Sequence, residues 1–432
     1  MNSAEPEQVE PPQTPAQKES AGEQEGEERG DPTALQRAVL VAVAIGYGAL
    51  AGGVAALTLR LMGLVGDIVW SVSDARWYIP VVIVAGGVLI AALRCVSSDV
   101  ADLDIDGQLD QAHDPVAIER RSTLFLALSA IVAVAFGGAI GPEAGLLAVI
   151  AELSCLVAIR LGRTRAQQRA LGDAGAAAAL AGLYGSPPGA VAYGDDDLSP
   201  PKILTLLAAV AGFGGFLLVA SLIFAEGLHG LALPEHTPAG NGVDLVAALL
   251  PALCGAAVGL GYAWVRPTVA AVLAKAPGPT ARIMIGTVVF AALATAVPLA
   301  RFSGHDDIGT LVEFAGSGDW LTLLGLALVK VVALALCLAA GWKGGEFFPL
   351  IFIGGAVGAA LATLLPGLDL TVAMVAAMSA ALTVAMRKPI AVLLLLTLMT
   401  GVSSLAAVFV GVAIGHLVSA RLPTTATAHG GH

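Results

Sequence analysis

The sequence predicts an all-α, polytopic membrane protein made of packed apolar helices, several of them interrupted by glycine or proline. Of its 432 residues, 57% are hydrophobic and 13% are charged, whereas soluble domains carry about 25% charged residues. Apolar runs of about 20 residues, the length needed to cross a bilayer, recur along the chain. The 52 glycines fit close helix packing in lipid, where small residues let backbones approach one another.

The two ends of the chain differ from this apolar body. Residues 1–33 hold nine acidic and two basic side chains and almost no large apolar residues, which predicts a disordered acidic N-terminal tail. This tail lacks a basic segment followed by an apolar run, so we do not expect a signal peptide. Residues 422–432 are predicted to form a loose C-terminal end.

Between these ends, the sequence predicts two membrane repeats, at residues 34–230 and 243–421, joined by a polar connector. The first half contains apolar runs at 34–65, 78–93, 124–136, 146–159, 171–191 and 203–224. The second half contains apolar runs at 245–264, 283–299, 321–340, 350–365, 370–386 and 390–418. We interpret the run from 390 to 418 as one continuous span.

Basic residues in the short loops predict the orientation, because Lys and Arg are enriched on the cytoplasmic side of membrane proteins. An ordinary alternation of spans allows one side to hold Arg37, Arg120, Arg121, residues 160–169, residues 266–282, Arg387, Lys388 and Arg421. We therefore expect a multi-pass protein of the cell membrane with both termini in the cytoplasm.

A glycine-rich segment at residues 137–145, Gly-Gly-Ala-Ile-Gly-Pro-Glu-Ala-Gly, lies between two of these apolar runs. Glycine lets the backbone approach a bound group closely, and Pro142 fits the first turn of a helix. The segment is therefore predicted to begin a helix deep inside the protein. The free N–H groups and the positive dipole end of such a helix favour an anion.

The same kind of break recurs in the second half. Pro349 repeats Pro142 at an offset of 207 residues, and each lies four residues after a Gly-Gly pair. A second pair of prolines, Pro188 and Pro389, follows at an offset of 201 residues. Paired interrupted segments of this kind point to a transporter site between two repeats. The alternative is a chance recurrence in a Gly- and Ala-rich chain.

Three segments around these breaks resemble the CLC family of chloride channels and proton-coupled anion antiporters. Residues 138–142, Gly-Ala-Ile-Gly-Pro, resemble the family's GxEGP motif except at the glutamate, and residues 345–349, Gly-Glu-Phe-Phe-Pro, resemble GxFxP. The third segment runs from Lys330 to Cys337. The likeness covers about residues 35–421, and its motif positions are Gly138, Pro142, Gly345 and Pro349.

The resemblance implies a fold of two inverted repeats of tilted, broken helices, assembled as a homodimer with one pore per subunit. It also implies that backbone amides hold the anion. In this chain those amides would belong to Ile140, Gly141, Glu346 and Phe347.

The chain departs from the family pattern at several places. Ile140 stands where the family has its gating glutamate, and an isoleucine cannot carry a proton. Residues 99–103, Asp-Val-Ala-Asp-Leu, stand where a serine motif is expected. The family's internal proton-transfer glutamate falls near Asp197 and Leu198. No tyrosine follows Tyr262, and the further helix that usually carries a pore tyrosine is not expected.

Three charged side chains near the breaks each allow two interpretations. Glu143 either complements the dipole at a helix start or serves as a relocated gate or proton carrier, since ionisable groups at membrane depth are rarely idle. Glu346 either gates the anion site or points away to pair with Lys343 or Lys330. Lys330 either raises the local potential for the anion or, as we prefer, forms a pair.

The predicted function is transport of small anions, with chloride as the expected ion and the lipid bilayer as the expected surroundings. We expect passive or differently gated flux because Ile140 replaces the usual gating glutamate. Two alternatives are a proton-coupled anion antiporter that uses Glu143 or Glu346, and a non-conducting membrane scaffold. The sequence contains no HExxH, GxSxG or P-loop pattern, so an enzyme is not expected. Neither a cofactor, a metal site nor a nucleic-acid partner is expected.

Overall fold

The computed structural model describes residues 34–96, 120–161, 165–195, 202–224, 230–240 and 242–421. These residues form helices joined by short turns, and one isolated bridge is the only strand-type pairing among them. The predicted all-α fold is confirmed. The acidic tail, residues 99–103, Asp197 and the C-terminal end from 422 lie outside the described residues.

The first half begins with the long helix α1 and continues to residue 223. Its described helices are α1 (Ala34–Trp70), α2 (Tyr78–Val96), α3 (Arg120–Ala135), α4 (Glu143–Leu161), α5 (Arg165–Tyr184), α6 (Pro187–Asp195) and α7 (Ile203–Ile223). The second half contains α8 (Val243–Ala247), α9 (Leu249–Leu273), α10 (Pro279–Ala296), α11 (Ile308–Gly316), α12 (Trp320–Ala340), α13 (Phe347–Leu364), α14 (Leu370–Met386), α15 (Pro389–Thr400) and α16 (Leu405–Ser419).

The lengths and surfaces of the helices fit a membrane protein. In the described chain, nine helical segments are long and apolar enough to cross a bilayer, while α14 and α15 are apolar but shorter. Large apolar side chains point outward along these helices, Leu218, Leu222 and Leu328 among them. The chain is therefore a multi-pass membrane protein.

Small residues allow the helices to touch along their backbones. Gly52 of α1 lies against Gly212 of α7, and Gly255 of α9 lies against Ala377 of α14, so that a Cβ at Gly52 or Gly255 would overlap backbone atoms. The helix α14 packs against α9, α13 and α16, and every residue from 371 to 384 is buried. Its small, uncharged sequence explains why it can be enclosed in this way.

The apolar run at 390–418 differs from the prediction. It is divided at Gly401, where a φ of 87° ends α15 and a short 3₁₀ turn, Val402–Ser404, leads into α16. Left-handed backbone is readily adopted by glycine, so Gly401 supplies the physical reason for the break. A further helix therefore does follow the one that begins at Pro389, contrary to the expectation, although it carries no tyrosine.

The two predicted pairs of breaks meet in the structure. Helices α4 and α13 begin directly after the two glycine segments, which are joined by an antiparallel bridge between Gly141 and Gly345. Helices α6 and α15 begin at prolines and pack against each other, and the Ser186 hydroxyl donates a hydrogen bond to the Leu394 carbonyl (3.1 Å). The prediction that the mirrored breaks converge is confirmed, and the described residues from Ala44 onward form one compact unit.

Candidate functional site

The site is built where the two glycine segments touch. The Gly141 amide donates to the Gly345 carbonyl (2.8 Å), and the Gly345 amide donates to the Gly141 carbonyl (2.9 Å). A Cβ at either glycine would overlap the carboxylate of Glu143, so this close approach requires glycine in both halves. Because its N–H is engaged in the bridge, the Gly141 amide is not free to hold an anion here.

Glu143 is the acidic group at the centre of this meeting point. It begins α4 and has no solvent-exposed surface. Its Oε1 accepts a hydrogen bond from the Tyr184 hydroxyl (3.4 Å), whereas its Oε2 has no hydrogen-bond partner among the described residues. A buried acidic oxygen without a partner is unfavourable, and such a group within a membrane protein points to function.

The electrostatic surroundings of Glu143 come from two helix N-termini. Its carboxylate lies beside Gly141 and Gly345, where an added Cβ would overlap it, and these glycines directly precede the starts of α4 and α13. The first amides of a helix have no partner within the helix, and the dipole favours negative charge there. The Glu143 carboxylate therefore occupies a position suited to a small anion.

Aromatic side chains enclose this position. The Tyr184 ring lies 4.5 Å from the Phe347 ring and 5.7 Å from the Phe348 ring, measured between centroids. All three residues are buried. Because these rings exclude water, a charge at the site interacts strongly with the nearby amides.

Ile140 also lies at the meeting point, but it takes no part in the charge network. It is buried and packs against the backbone of Gly344, where a Cβ would overlap its side chain. On the other side of the loop, Gly138 lies against the Ala133 carbonyl and the Trp342 ring. Ile140 thus fills space between the two breaks.

The second predicted acid, Glu346, lies immediately before α13 but does not cap it. Its Oε2 accepts a hydrogen bond from the Tyr262 hydroxyl (2.5 Å) and lies 3.2 Å from Nη1 of Arg266. Both partners are on α9, one helical turn apart. The sequence suggested Lys343 or Lys330 as the cationic partner; the ion pair is with Arg266.

Lys330 is directed at main-chain carbonyl groups. Its fully buried ammonium donates to the carbonyls of Leu299 (3.1 Å) and Arg301 (2.7 Å), with Ala300 at 3.5 Å, and lies 5.0 Å from the centre of the Phe352 ring. These carbonyls end the segment that follows α10. Lys330 therefore caps the end of that segment through its main-chain carbonyls, and the pairing that the sequence led us to prefer stays a prediction.

A cavity of about 940 Å³ leads to the meeting point. Its inner wall includes Ile140, Tyr184 and Phe348. Its outer part lies between the α1–α2 turn and the loop 301–306, where the Arg301 guanidinium stacks 4.5 Å from the Trp70 ring. The cavity gives the buried site a route toward one face of the protein.

Burial shifts the pKa values of two charged side chains in the loop at the mouth of this cavity. Burial lowers the pKa of the Arg301 guanidinium, and the nearby Asp307 carboxylate opposes that change. Burial likewise raises the pKa of the Asp307 carboxyl, while the charge of Lys330 opposes the rise. The described residues contain no group of three His, Cys, Asp or Glu side chains that could hold a metal ion.

Three residues of the site were missed by sequence reasoning: Tyr184, Tyr262 and Arg266. A signal existed for Tyr184, which is the last residue of α5 and directly precedes the predicted proline break. Tyr262 and Arg266 are four residues apart, so they share a helix face, but nothing local connects them with an acid some 80 residues later.

Comparison with known proteins decides the family. Residues 104–420 match the family described as "Voltage gated chloride channel". The chain belongs to this family. YfeO of Salmonella newport (strain SL254), whose name describes ion transport, is 30% identical over 258 residues, which cover 56% of this chain and 59% of YfeO. YfeO of Salmonella agona (strain SL483) matches equally well. The chain thus matches less than two thirds of the length of these curated relatives.

Solved structures of the family have the same fold. A CLC-type fluoride/proton antiporter superposes with a TM-score of 0.68 at 20% sequence identity, covering 89% of this chain and 97% of its own. A slow cyanobacterial Cl⁻/H⁺ antiporter superposes with a TM-score of 0.69 at 16% identity, covering 88% of this chain and 95% of its own. At these identities the likeness establishes the fold of the chain, with its broken helices, and not its ion or mechanism.

Proposed function

We propose that this protein transports small anions, with chloride as the principal ion, through a pathway that passes between the two glycine breaks. The single observation that carries the proposal is the position of the Glu143 carboxylate. It is an acidic group held where the N-termini of α4 and α13 meet, buried from water, with one oxygen lacking a hydrogen-bond partner among the described residues.

The carboxylate at this position behaves as an anion tethered to the chain. A free anion can use the same amides only after the carboxylate has moved away or has become neutral by taking up a proton. Glu143, three residues beyond Ile140, therefore supplies the gate that the sequence motif lacks. Proton-linked movement of the anion follows from this arrangement, and it replaces the passive flux expected from Ile140 alone.

The anion-binding groups in this proposal are the amides of the first turn of α13, including that of Phe347, together with the Tyr184 hydroxyl. The Glu346 and Ile140 amides stay in the proposed donor set, and the Gly141 amide is left out because it is bonded across the bridge. The protein works as a homodimer in the cell membrane, as the family resemblance implies.

The test is chloride uptake into proteoliposomes with simultaneous recording of internal pH, using fluoride and nitrate as competing anions. We expect chloride movement that drives proton movement in the unaltered protein, and chloride movement without protons in Glu143→Gln. Glu313→Gln, at an exposed acid on α11, is the matched control and should behave as the unaltered protein.

Two other outcomes would each support one of the alternative functions. Chloride flux without proton movement in the unaltered protein would establish the passive mechanism. The absence of any anion flux from well-folded protein would favour the non-conducting scaffold.

A further inference from the structure

The carboxylate of Glu346 is held away from the helix that it precedes. Short polar side chains at this position commonly accept from the free amides of the first helical turn, whereas the longer Glu346 side chain makes no such bond. Its Oε2 instead accepts from a buried tyrosine hydroxyl and lies beside a guanidinium, both on α9. These two contacts hold the carboxylate on α9 and not at the start of α13.

Releasing Glu346 would place a second negative charge at the anion site. The Glu143 carboxylate lies beside Gly345, the residue before Glu346, and Glu346 in turn directly precedes the first turn of α13. An anion, Glu143 and a released Glu346 would compete for the same positive helix end. The side-chain contacts to α9 thus decide how many competitors an incoming anion meets.

We propose that Tyr262 and Arg266 form a latch that withdraws Glu346 from the anion site, and that opening this latch closes the site to anions. Arg266 is a positioning residue, since it acts through Glu346. This inference rests on the proposed function only in taking the first turn of α13 as the place where the anion binds.

The residues of the latch differ in how deeply they are buried, as expected of a contact that can open. The Tyr262 side chain is fully buried, whereas the Arg266 side chain is 40% exposed and that of Glu346 is 16% exposed. Ion pairs with an exposed partner are screened and weak. A change in the local charge or in the salt concentration near Arg266 can therefore release Glu346 without unfolding the surrounding helices.

The experiment measures chloride binding to the purified full-length protein by titration calorimetry. In Arg266→Gln, chloride should bind about tenfold more weakly, because the fraction of molecules with an open site falls to about one tenth. In the double variant Arg266→Gln/Glu346→Gln, the competing charge is gone, and the affinity should return to within about twofold of the unaltered protein. Lys275→Gln removes an exposed positive charge just beyond the end of α9 and should change nothing.

The rescue separates a latch from a merely structural ion pair. Weak binding that persists in the double variant, or an unchanged affinity in Arg266→Gln, would overturn the proposal. If Arg266→Gln does not fold, Tyr262→Phe and its double variant with Glu346→Gln provide the same comparison. The proton recordings on Glu143→Gln are independent of this pattern, so failure of the proposed transport mechanism and failure of the latch are distinguishable. Absence of chloride binding to the unaltered protein would overturn both.

Discussion

At the scale of single residues, the central feature is a buried acid at the point where the two glycine segments meet. Glu143 lies three residues after Ile140 and is the first residue of α4. Its carboxylate reaches back between Gly141 and Gly345, where neither glycine has a side chain to obstruct it. Ile140 fills the space beside Gly344, so the apolar and the acidic side chains of this segment occupy different places at the meeting point.

The Tyr184 hydroxyl should set the pH at which the Glu143 gate opens. A hydrogen bond donated to a carboxylate favours its charged form, and that form blocks the anion site. Tyr184→Phe removes the bond, so Glu143 should become neutral more readily, and half-maximal chloride flux should occur at a pH higher by about 0.4–1.1 units, given a bond of roughly 0.5–1.5 kcal/mol. Chloride flux into proteoliposomes measured across a pH series tests this.

A matched control for that series is Tyr78→Phe. The Tyr78 hydroxyl also donates a hydrogen bond, to the Val69 carbonyl at the end of α1 (2.8 Å), but it makes no contact with Glu143. The pH profile of chloride flux in Tyr78→Phe should coincide with that of the unaltered protein. A shift to lower pH in Tyr184→Phe would contradict the proposed role of the hydroxyl.

Lys330 should matter for stability, because its ammonium serves the carbonyl groups at the end of the 298–300 turn. Lys330→Met keeps most of the apolar volume but leaves these buried carbonyls without their donor, at about 1–3 kcal/mol for an unsatisfied group. We expect a melting temperature lower by several degrees in a thermal unfolding assay. Lys275→Met, at an exposed lysine, should unfold like the unaltered protein, and equal melting of both variants would refute the capping role.

At the scale of helices, the breaks explain why charge can lie so deep in an apolar protein. A continuous membrane helix satisfies its own backbone groups, whereas an interrupted helix presents free amides inside the protein. Helices α4 and α13 present their N-termini to each other across the Gly141–Gly345 bridge. Helices α6 and α15, which begin at Pro187 and Pro389, pack together nearby, so each half contributes two interrupted segments.

The bridge itself provides a prediction at this scale. In Gly345→Ala, a Cβ would overlap the Glu143 carboxylate, and overpacking of a buried site costs about 1–3 kcal/mol. The carboxylate or the bridge must then move, and chloride flux should fall at least about tenfold. Gly325→Ala in α12 is the control, because no atom lies within 4 Å of its added Cβ; normal flux in Gly345→Ala would show that the bridge is not part of the pathway.

The sequence reveals the breaks more readily than the contacts they make. Gly-Gly and proline signals identified the starts of α4, α6, α13 and α15, because such residues act on the local backbone. The break at Gly401 was overlooked because a lone glycine in an apolar run is often tolerated within a helix. The pairing of Glu346 with Tyr262 and Arg266 depends on how α9 packs beside α13, which no local pattern specifies.

At the scale of the whole molecule, the two acids have different surroundings. Glu143 is near the inner end of the large cavity, whose outer part lies between the α1–α2 turn and the loop at 301–306. Glu346 is tied to the C-terminal half of α9, which leads to the basic turn around Lys275. The positive-inside rule then predicts that the cavity faces the outside of the cell and that the latch faces the cytoplasm. External protons would reach Glu143, and cytoplasmic conditions would act on Arg266.

This orientation can be tested with a cysteine that the chain already has. Cys95 is exposed at the end of α2, close to Thr280 at the start of α10, and should therefore face the cytoplasm. A membrane-impermeant thiol reagent should leave Cys95 unmodified in intact cells and modify it after permeabilisation. In a Cys95→Ser background, Trp77→Cys, at a residue 65% exposed in the α1–α2 turn, should react in intact cells because it lies beside the outer part of the cavity. The reverse pattern of labelling would place the cavity and Glu143 on the cytoplasmic side and the latch on the outside of the cell.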